Sequence, residues 1–223
     1  MPPDFLIVSD CDGVLVDSER LMQDIDVQMI TELGWPITRT EILNEHLGRS
    51  EASVTANIER HLGHPVPETF VEDRRAAHAA AFRTELREVS GVSQAVTQLH
   101  DAGYASCVAS SGTHERIRRM LDTTNLRGLF GERIFSSEDV RRSKPAPDLF
   151  LYAASSLGYS TDRCVVIEDS PSGVSAARAA GMAVIGYCET TPPAALNSAD
   201  ELIACMSDLP EAIDRLAHGA TGR

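Results

Sequence analysis

Short apolar runs that end in polar, turn-forming residues constrain this chain's fold most strongly. Phe5-Leu6-Ile7-Val8, Ala105 to Ala109 around Cys107-Val108, Cys164-Val165-Val166-Ile167 and Ala183-Val184-Ile185 are too short for helices and almost wholly apolar. A half-solvated strand alternates polar and apolar residues, whereas runs like these read as strands buried on both faces, as in a parallel sheet covered by helices. Helical patterns lie between them, each closing at a glycine: Val92 to Ala102 at Gly103, Pro147 to Leu157 at Gly158, and Pro171 to Ala180 at Gly181. Ser170 suits the cap of the last helix and Pro171 its first turn. The alternation predicts an α/β fold, a doubly wound and mostly parallel sheet.

From Glu19 to Glu88 the β-rich runs stop. Leu21, Ile25, Met29 and Leu33 recur at helical spacing, Ile58 and Leu62 repeat it, and Ala76 to Leu86 is another helical stretch. An inserted α-helical cap over residues 19–88 is therefore expected to split a catalytic core made of residues 1–18 and 89–223.

Of 223 residues, 43% are hydrophobic and 24% charged, enough apolar content for one large core. The formal charge of −13 argues against a nucleic-acid partner, since backbone phosphates are held by clustered cations. No apolar run reaches membrane-spanning length, and Met1-Pro2-Pro3-Asp4 lacks a signal peptide's pattern, so a cytoplasmic protein with no membrane partner is expected. The five scattered cysteines suggest reduced, packed thiols, Cys11 included. Of the 20 basic residues only Lys144 is a lysine, which singles that position out.

The first run leads into Asp10-Cys11-Asp12-Gly13. Two carboxylates one residue apart at the end of a buried strand repel each other unless a cation or proton intervenes. Ligands of open parallel sheets bind at the carboxyl ends of the strands. Ser110-Ser111-Gly112 and Glu168-Asp169 are expected at the same edge, with Lys144-Pro145 just ahead of a helix. These groups suit phosphoryl transfer. Asp10 can act as nucleophile, Asp12 as general acid and then base, and Lys144 and Ser110 as donors to phosphoryl oxygens. Mg²⁺ would join Asp10 to Asp169, with Glu168 assisting.

The ordered set Asp10-Cys11-Asp12-Gly13, Ser110, Lys144-Pro145 and Glu168-Asp169 resembles the haloacid dehalogenase superfamily, specifically its phosphatases and phosphomutases with a small helical cap. The resemblance implies a Rossmann-like core and a Mg²⁺-dependent phosphatase acting through an aspartyl phosphate. It adds the Asp12 carbonyl as a metal ligand and backbone amides near Cys11, Asp12 and Ser111 as phosphate donors. A sugar phosphomutase is the alternative, but Met22 stands where such mutases carry histidine, and the cap has no lysine. A non-catalytic binder of a phosphorylated ligand is a remoter one. The expected partner is a small phosphorylated metabolite, a sugar phosphate or phosphorylated sugar acid. Arg49 could fork onto a second anionic group of it and Glu19 could bond its hydroxyls.

Overall fold

Each uninterrupted apolar run is a strand in the computed structural model, which describes residues 4–46 and 51–219. The elements run β1 (Leu6–Ser9), α1 (Ser18–Glu32), α2 (Arg39–His46), α3 (Glu51–Leu62), α4 (Phe70–Thr84), α5 (Val92–Asp101), β2 (Ala105–Ser110), α6 (His114–Thr123), α7 (Arg127–Phe130), β3 (Ile134–Ser136), α8 (Asp148–Leu157), β4 (Cys164–Glu168), α9 (Pro171–Ala179), β5 (Ala183–Tyr187), β6 (Glu201–Ile203) and α10 (Leu209–Gly219). Two compact units result: Met1–Asp17 with Arg87–Arg223, and Ser18–Leu86.

The first unit is built on a sheet in the order β3-β2-β1-β4-β5-β6, every adjacent pair parallel. β1 lies between β2 and β4, with Val8 opposite both Cys107 and Val166. Side chains alternate across the pleat. Leu6, Val8, Ala109, Val166 and Val184 thus share one core with Leu149 and Phe150 of α8 and Val174 of α9. Ile7, Val108, Val165 and Ile167, of opposite parity, are buried as well, while α5 packs on β2 and α10 on β4 and β6. Each such aliphatic side chain contributes about 1.5–3 kcal/mol by leaving water. The edge strands β3 and β6, each three residues long, leave no run in the sequence by which to find them. Helix ends follow their signals. α8 closes on Gly158 at φ 80°, and Ser170 Oγ accepts from the Gly173 N–H at 3.0 Å at the start of α9.

The second unit holds α1 to α4 around Ile30, Ile37, Ile42, Val54, Ile58 and Phe70. One expectation shifts here: α4 starts at Phe70, six residues before the expected stretch. The spacing of Leu21, Ile25 and Met29 is helical as expected, and Met29 and Leu33 pack partly buried against this core, while the most deeply buried positions of α1 are Ser18, Gln23, Asp26 and Ile30. Asp26 is buried in a polar tie to α4. Arg74 forks onto Asp26, Nε to Oδ1 at 2.7 Å and a terminal nitrogen to Oδ2 at 2.6 Å, and His78 Nε2 lies 2.8 Å from Oδ1. Burial pushes the Asp26 carboxyl up, but the bonds from Arg74 and His78 outweigh it and hold it below its ordinary value. Among the described residues, no helix is long and apolar enough to cross a membrane.

Candidate active site

The carboxyl edge of the sheet gathers most of the expected chemistry. The Asp10 N–H donates to the Ile167 carbonyl at 3.0 Å, carrying the β1–β4 pairing one residue past β1. The Leu15 and Val16 N–H groups both donate to the Cys11 carbonyl at 3.0 Å, folding the chain back around Asp12 and Gly13. By the two-residue period, Asp10 follows Leu6 and Val8 toward the α8 and α9 face, and Glu168 follows Cys164 and Val166. Lys144 enters the same face from the loop before α8. Arg142 steadies that loop with a fork onto Asp148, at 3.0 and 2.7 Å.

Lys144 Nζ donates to Asp10 Oδ1 at 2.5 Å, Glu168 Oε1 at 2.7 Å and the Ala109 carbonyl at 2.9 Å. An ammonium has three hydrogens, so its donors are matched one to one with acceptors from β1, β2 and β4. Its side chain is 4% exposed. Burial alone would lower the Lys144 pKa, but Asp10 and Glu168 drive it well above the ordinary value, so the amine stays charged. Asp10 is raised as well, which for an acid favours the neutral form. Burial pushes it up to about 7; Glu168 and Asp12 add to the rise, and Lys144 opposes it. Acid outweighs cation at this point of the structure.

Asp169 stands over Gly13. A Cβ on Gly13 would lie 1.9 Å from Asp169 Oδ2, and Gly13 has φ +74°, so glycine alone gives both the turn and the space. Gly173 plays the same part for the neighbouring acid, its Cβ position falling 1.8 Å from Glu168 Oε1. Glu168, expected to assist a metal, has another task. Oε1 accepts from Lys144, and Oε2 from the Ser170 N–H at 3.1 Å and Ser170 Oγ at 2.8 Å. Among the described residues no three His, Cys, Asp or Glu side chains are grouped to hold a metal. What the edge does offer is hard oxygen from the Asp10 and Asp169 carboxylates, with an excess of negative charge around Asp10. That donor set fits Mg²⁺, which commonly takes one or two carboxylates and keeps its waters.

Ser110 is buried at the end of β2, and its Oγ accepts from the Gly112 N–H at 3.2 Å. The turn that carries Ser111 is fastened from β3's end. Ser136 Oγ donates to the Gly112 carbonyl at 2.6 Å and Ser137 Oγ to the Ser111 carbonyl at 2.8 Å. Arg116, which the motifs did not single out, donates to Asp12 Oδ1 at 2.7 Å. Its position was the available signal, in the first turn of the helix that follows the Ser110 strand end. Cys11 is fully buried, and burial keeps its thiol protonated. Glu19 lies in the first turn of α1 in the helical unit, lining that unit's own cavity. Arg49 falls outside the described residues.

A parallel, doubly wound sheet with acids and the chain's sole lysine gathered at the carboxyl ends of β1, β2 and β4 defines an α/β enzyme of Rossmann-like architecture. The chain belongs to the haloacid dehalogenase-like hydrolases, whose family pattern matches residues 7–187. It is 28% identical over 180 residues to the 6-phosphogluconate phosphatase of Escherichia coli K12, covering 80% of each chain. It is 31% identical over 177 residues to hexitol phosphatase B of the same organism, covering 78% of this chain and 79% of that one. A crystal structure of a haloacid dehalogenase-family hydrolase from Deinococcus radiodurans R1, with bound phosphate and sodium, superposes with a TM-score of 0.88 at 29% identity, covering 99% of this chain and 98% of that one.

Proposed function

We propose that this hydrolase is a Mg²⁺-dependent phosphatase that cleaves a small phosphate monoester, a sugar phosphate or phosphorylated sugar acid, with Asp10 as nucleophile. The observation that carries the reading is the buried Lys144 ammonium bonded at once to Asp10, Glu168 and the Ala109 carbonyl. It fixes the Asp10 carboxylate at the strand edge and sets a permanent positive charge beside it. The naming of several relatives as phosphatases supports the same assignment.

In the first half-reaction an Asp10 oxygen attacks phosphorus, the bond from phosphorus to the leaving oxygen breaks, and an aspartyl phosphate forms. Asp12 gives its proton to the departing alkoxide oxygen. In the second half Asp12 takes a proton from water, whose oxygen attacks phosphorus. The Asp10–phosphorus bond breaks, and inorganic phosphate leaves. Lys144, Ser110 Oγ and the amides near Cys11, Asp12 and Ser111 stabilise the charge on the phosphoryl oxygens. Arg116 orients Asp12, and Glu168 orients Lys144. The Asp10 and Asp169 carboxylates and the Asp12 carbonyl would hold Mg²⁺. When bound, the ion supplies the positive charge that keeps Asp10 ionised and screens the substrate's own.

The test is phosphate release from p-nitrophenyl phosphate, with and without Mg²⁺, by wild type and Asp10→Asn, followed by a panel of phosphorylated metabolites. Metal-dependent release by wild type alone is expected. No metal-dependent release, or unchanged release by Asp10→Asn, overturns the assignment.

A further inference from the structure

Ser110 reaches the carboxyl edge with half of its hydrogen-bonding capacity committed. Its Oγ accepts from the Gly112 N–H at 3.2 Å. A hydroxyl has one hydrogen and two lone pairs, so this bond fills a lone pair and leaves the hydrogen to give. The residue is 1% exposed, and no described residue accepts that hydrogen. Its place is beside Asp12. The point where a Cβ on Gly112 would stand is 3.6 Å from Ser110 Oγ and 3.5 Å from Arg116 Nη1, and the other terminal nitrogen of Arg116 donates to Asp12.

The direction of the Gly112 N–H is fixed from another strand. In a trans peptide the C=O and the N–H of one plane point opposite ways. The plane joining Ser111 to Gly112 is held at both ends, its N–H by Ser110 Oγ and its oxygen by Ser137 Oγ at 2.8 Å. The next plane is held at its oxygen, where Ser136 Oγ donates to the Gly112 carbonyl at 2.6 Å. The segment after β3 is itself anchored. The Ser136 N–H donates to Asp139 Oδ2 at 2.8 Å, and His114 Nε2 lies 2.9 Å from Asp139 Oδ1. Without the bond from Ser137, the Ser111–Gly112 plane is free to turn over. A reversed plane would present its oxygen to Ser110, and the hydroxyl would then give its hydrogen to that carbonyl and not to a ligand.

We infer that Ser137, backed by Ser136, is a positioning residue of the phosphate site: by holding the Ser111–Gly112 peptide with its N–H toward Ser110, it keeps the Ser110 hydrogen available to a phosphoryl oxygen. The inference deepens the proposed function and rests on its reading of Ser110 as a phosphate donor. A residue outside the four motifs, 26 positions along the chain from Ser111, thereby sets what one of those motifs can do.

The test is a double-mutant cycle on the full chain with Mg²⁺ present, read as the affinity for inorganic phosphate by calorimetry, with turnover of p-nitrophenyl phosphate measured alongside. Ser110→Ala removes a hydrogen bond to a charged oxygen and should weaken phosphate binding by about tenfold or more. Ser137→Ala should weaken it by roughly threefold or more. The double variant should bind no more weakly than Ser110→Ala alone, because Ser137 acts through Ser110 and the two losses are one loss. Ser137→Thr keeps a hydroxyl and should bind phosphate as wild type does, whereas Ser137→Val, of the same shape without it, should behave as Ser137→Ala. Where circular dichroism shows Ser137→Ala unfolded, Ser137→Val takes its place in the cycle. Unchanged affinity in Ser137→Ala, losses that multiply in the double variant, or no saturable phosphate binding by wild type overturns the inference. The cycle as described, with no phosphate released from p-nitrophenyl phosphate by wild type, upholds the positioning role and overturns the phosphatase assignment.

Discussion

Both units bury a carboxylate against a long cationic side chain, and the two carboxylates are pushed in opposite directions. In the core, Asp10 shares one ammonium with Glu168 and has Asp12 close by, and burial raises it to about 7. In the helical unit, Asp26 has the Arg74 fork and His78 to itself and is held below its ordinary value. Burial is heavy in both, so the difference lies in the ratio of donors to acids. An acid with donors in surplus is a structural tie; an acid short of positive charge is poised for a ligand that brings some.

Substitutions at four positions break or sharpen that contrast. Asp10→Asn is expected to reduce phosphate release by about 10⁴-fold or more, with little change in melting temperature, in a steady-state assay paired with calorimetry. Lys144→Met should lower kcat/KM by roughly 10³-fold, and Lys144→Arg should not restore it, because a planar fork cannot reach three separate acceptors as a point ammonium does. Asp26→Ala leaves Arg74 buried without its acid and should cost about 3–5 kcal/mol. Trp35, the chain's single tryptophan, lies in the helical unit and reports this in a urea titration. Asp26 has a lowered folded pKa, so its contribution is present above the unfolded value near 3.9 and disappears as pH falls through the folded value. The gap between wild type and Asp26→Ala should therefore close below about pH 4. Turnover abolished by Asp26→Ala with an unmoved urea midpoint would break the contrast. Arg116→Ala should cost about tenfold or less in kcat, and within about 0.5 kcal/mol in stability, since the Arg116–Asp12 pair is partly exposed.

Local patterns were legible in the sequence, and long-range pairings were not. A strand buried on both faces announces itself by composition, and the residue after it falls at the sheet's edge by topology. Asp10, Ser110, Glu168 and Asp169 could be read in that way. Lys144 stood out by being alone of its kind. Long-range partners leave no such mark. Arg74 and His78 meet Asp26 from 48 and 52 residues away, so the burial of Asp26 in α1 could not be read from spacing. Glu168 and Asp169 are equivalent as text, and only the bonds to Lys144 and Ser170 and the cleft over Gly13 tell them apart. β3 and β6, at the sheet's two margins, are too short to leave a signal.

The isolation of Lys144 has a practical consequence. It is the chain's one ε-amino group, and the fold keeps it charged, 4% exposed and bonded to three oxygens. An acylating reagent attacks the neutral, accessible amine, so modification of this side chain in the native protein waits on local opening of the sheet's carboxyl edge. Mass spectrometry of a timed acylation would then read how often that edge opens as the labelling of a single atom.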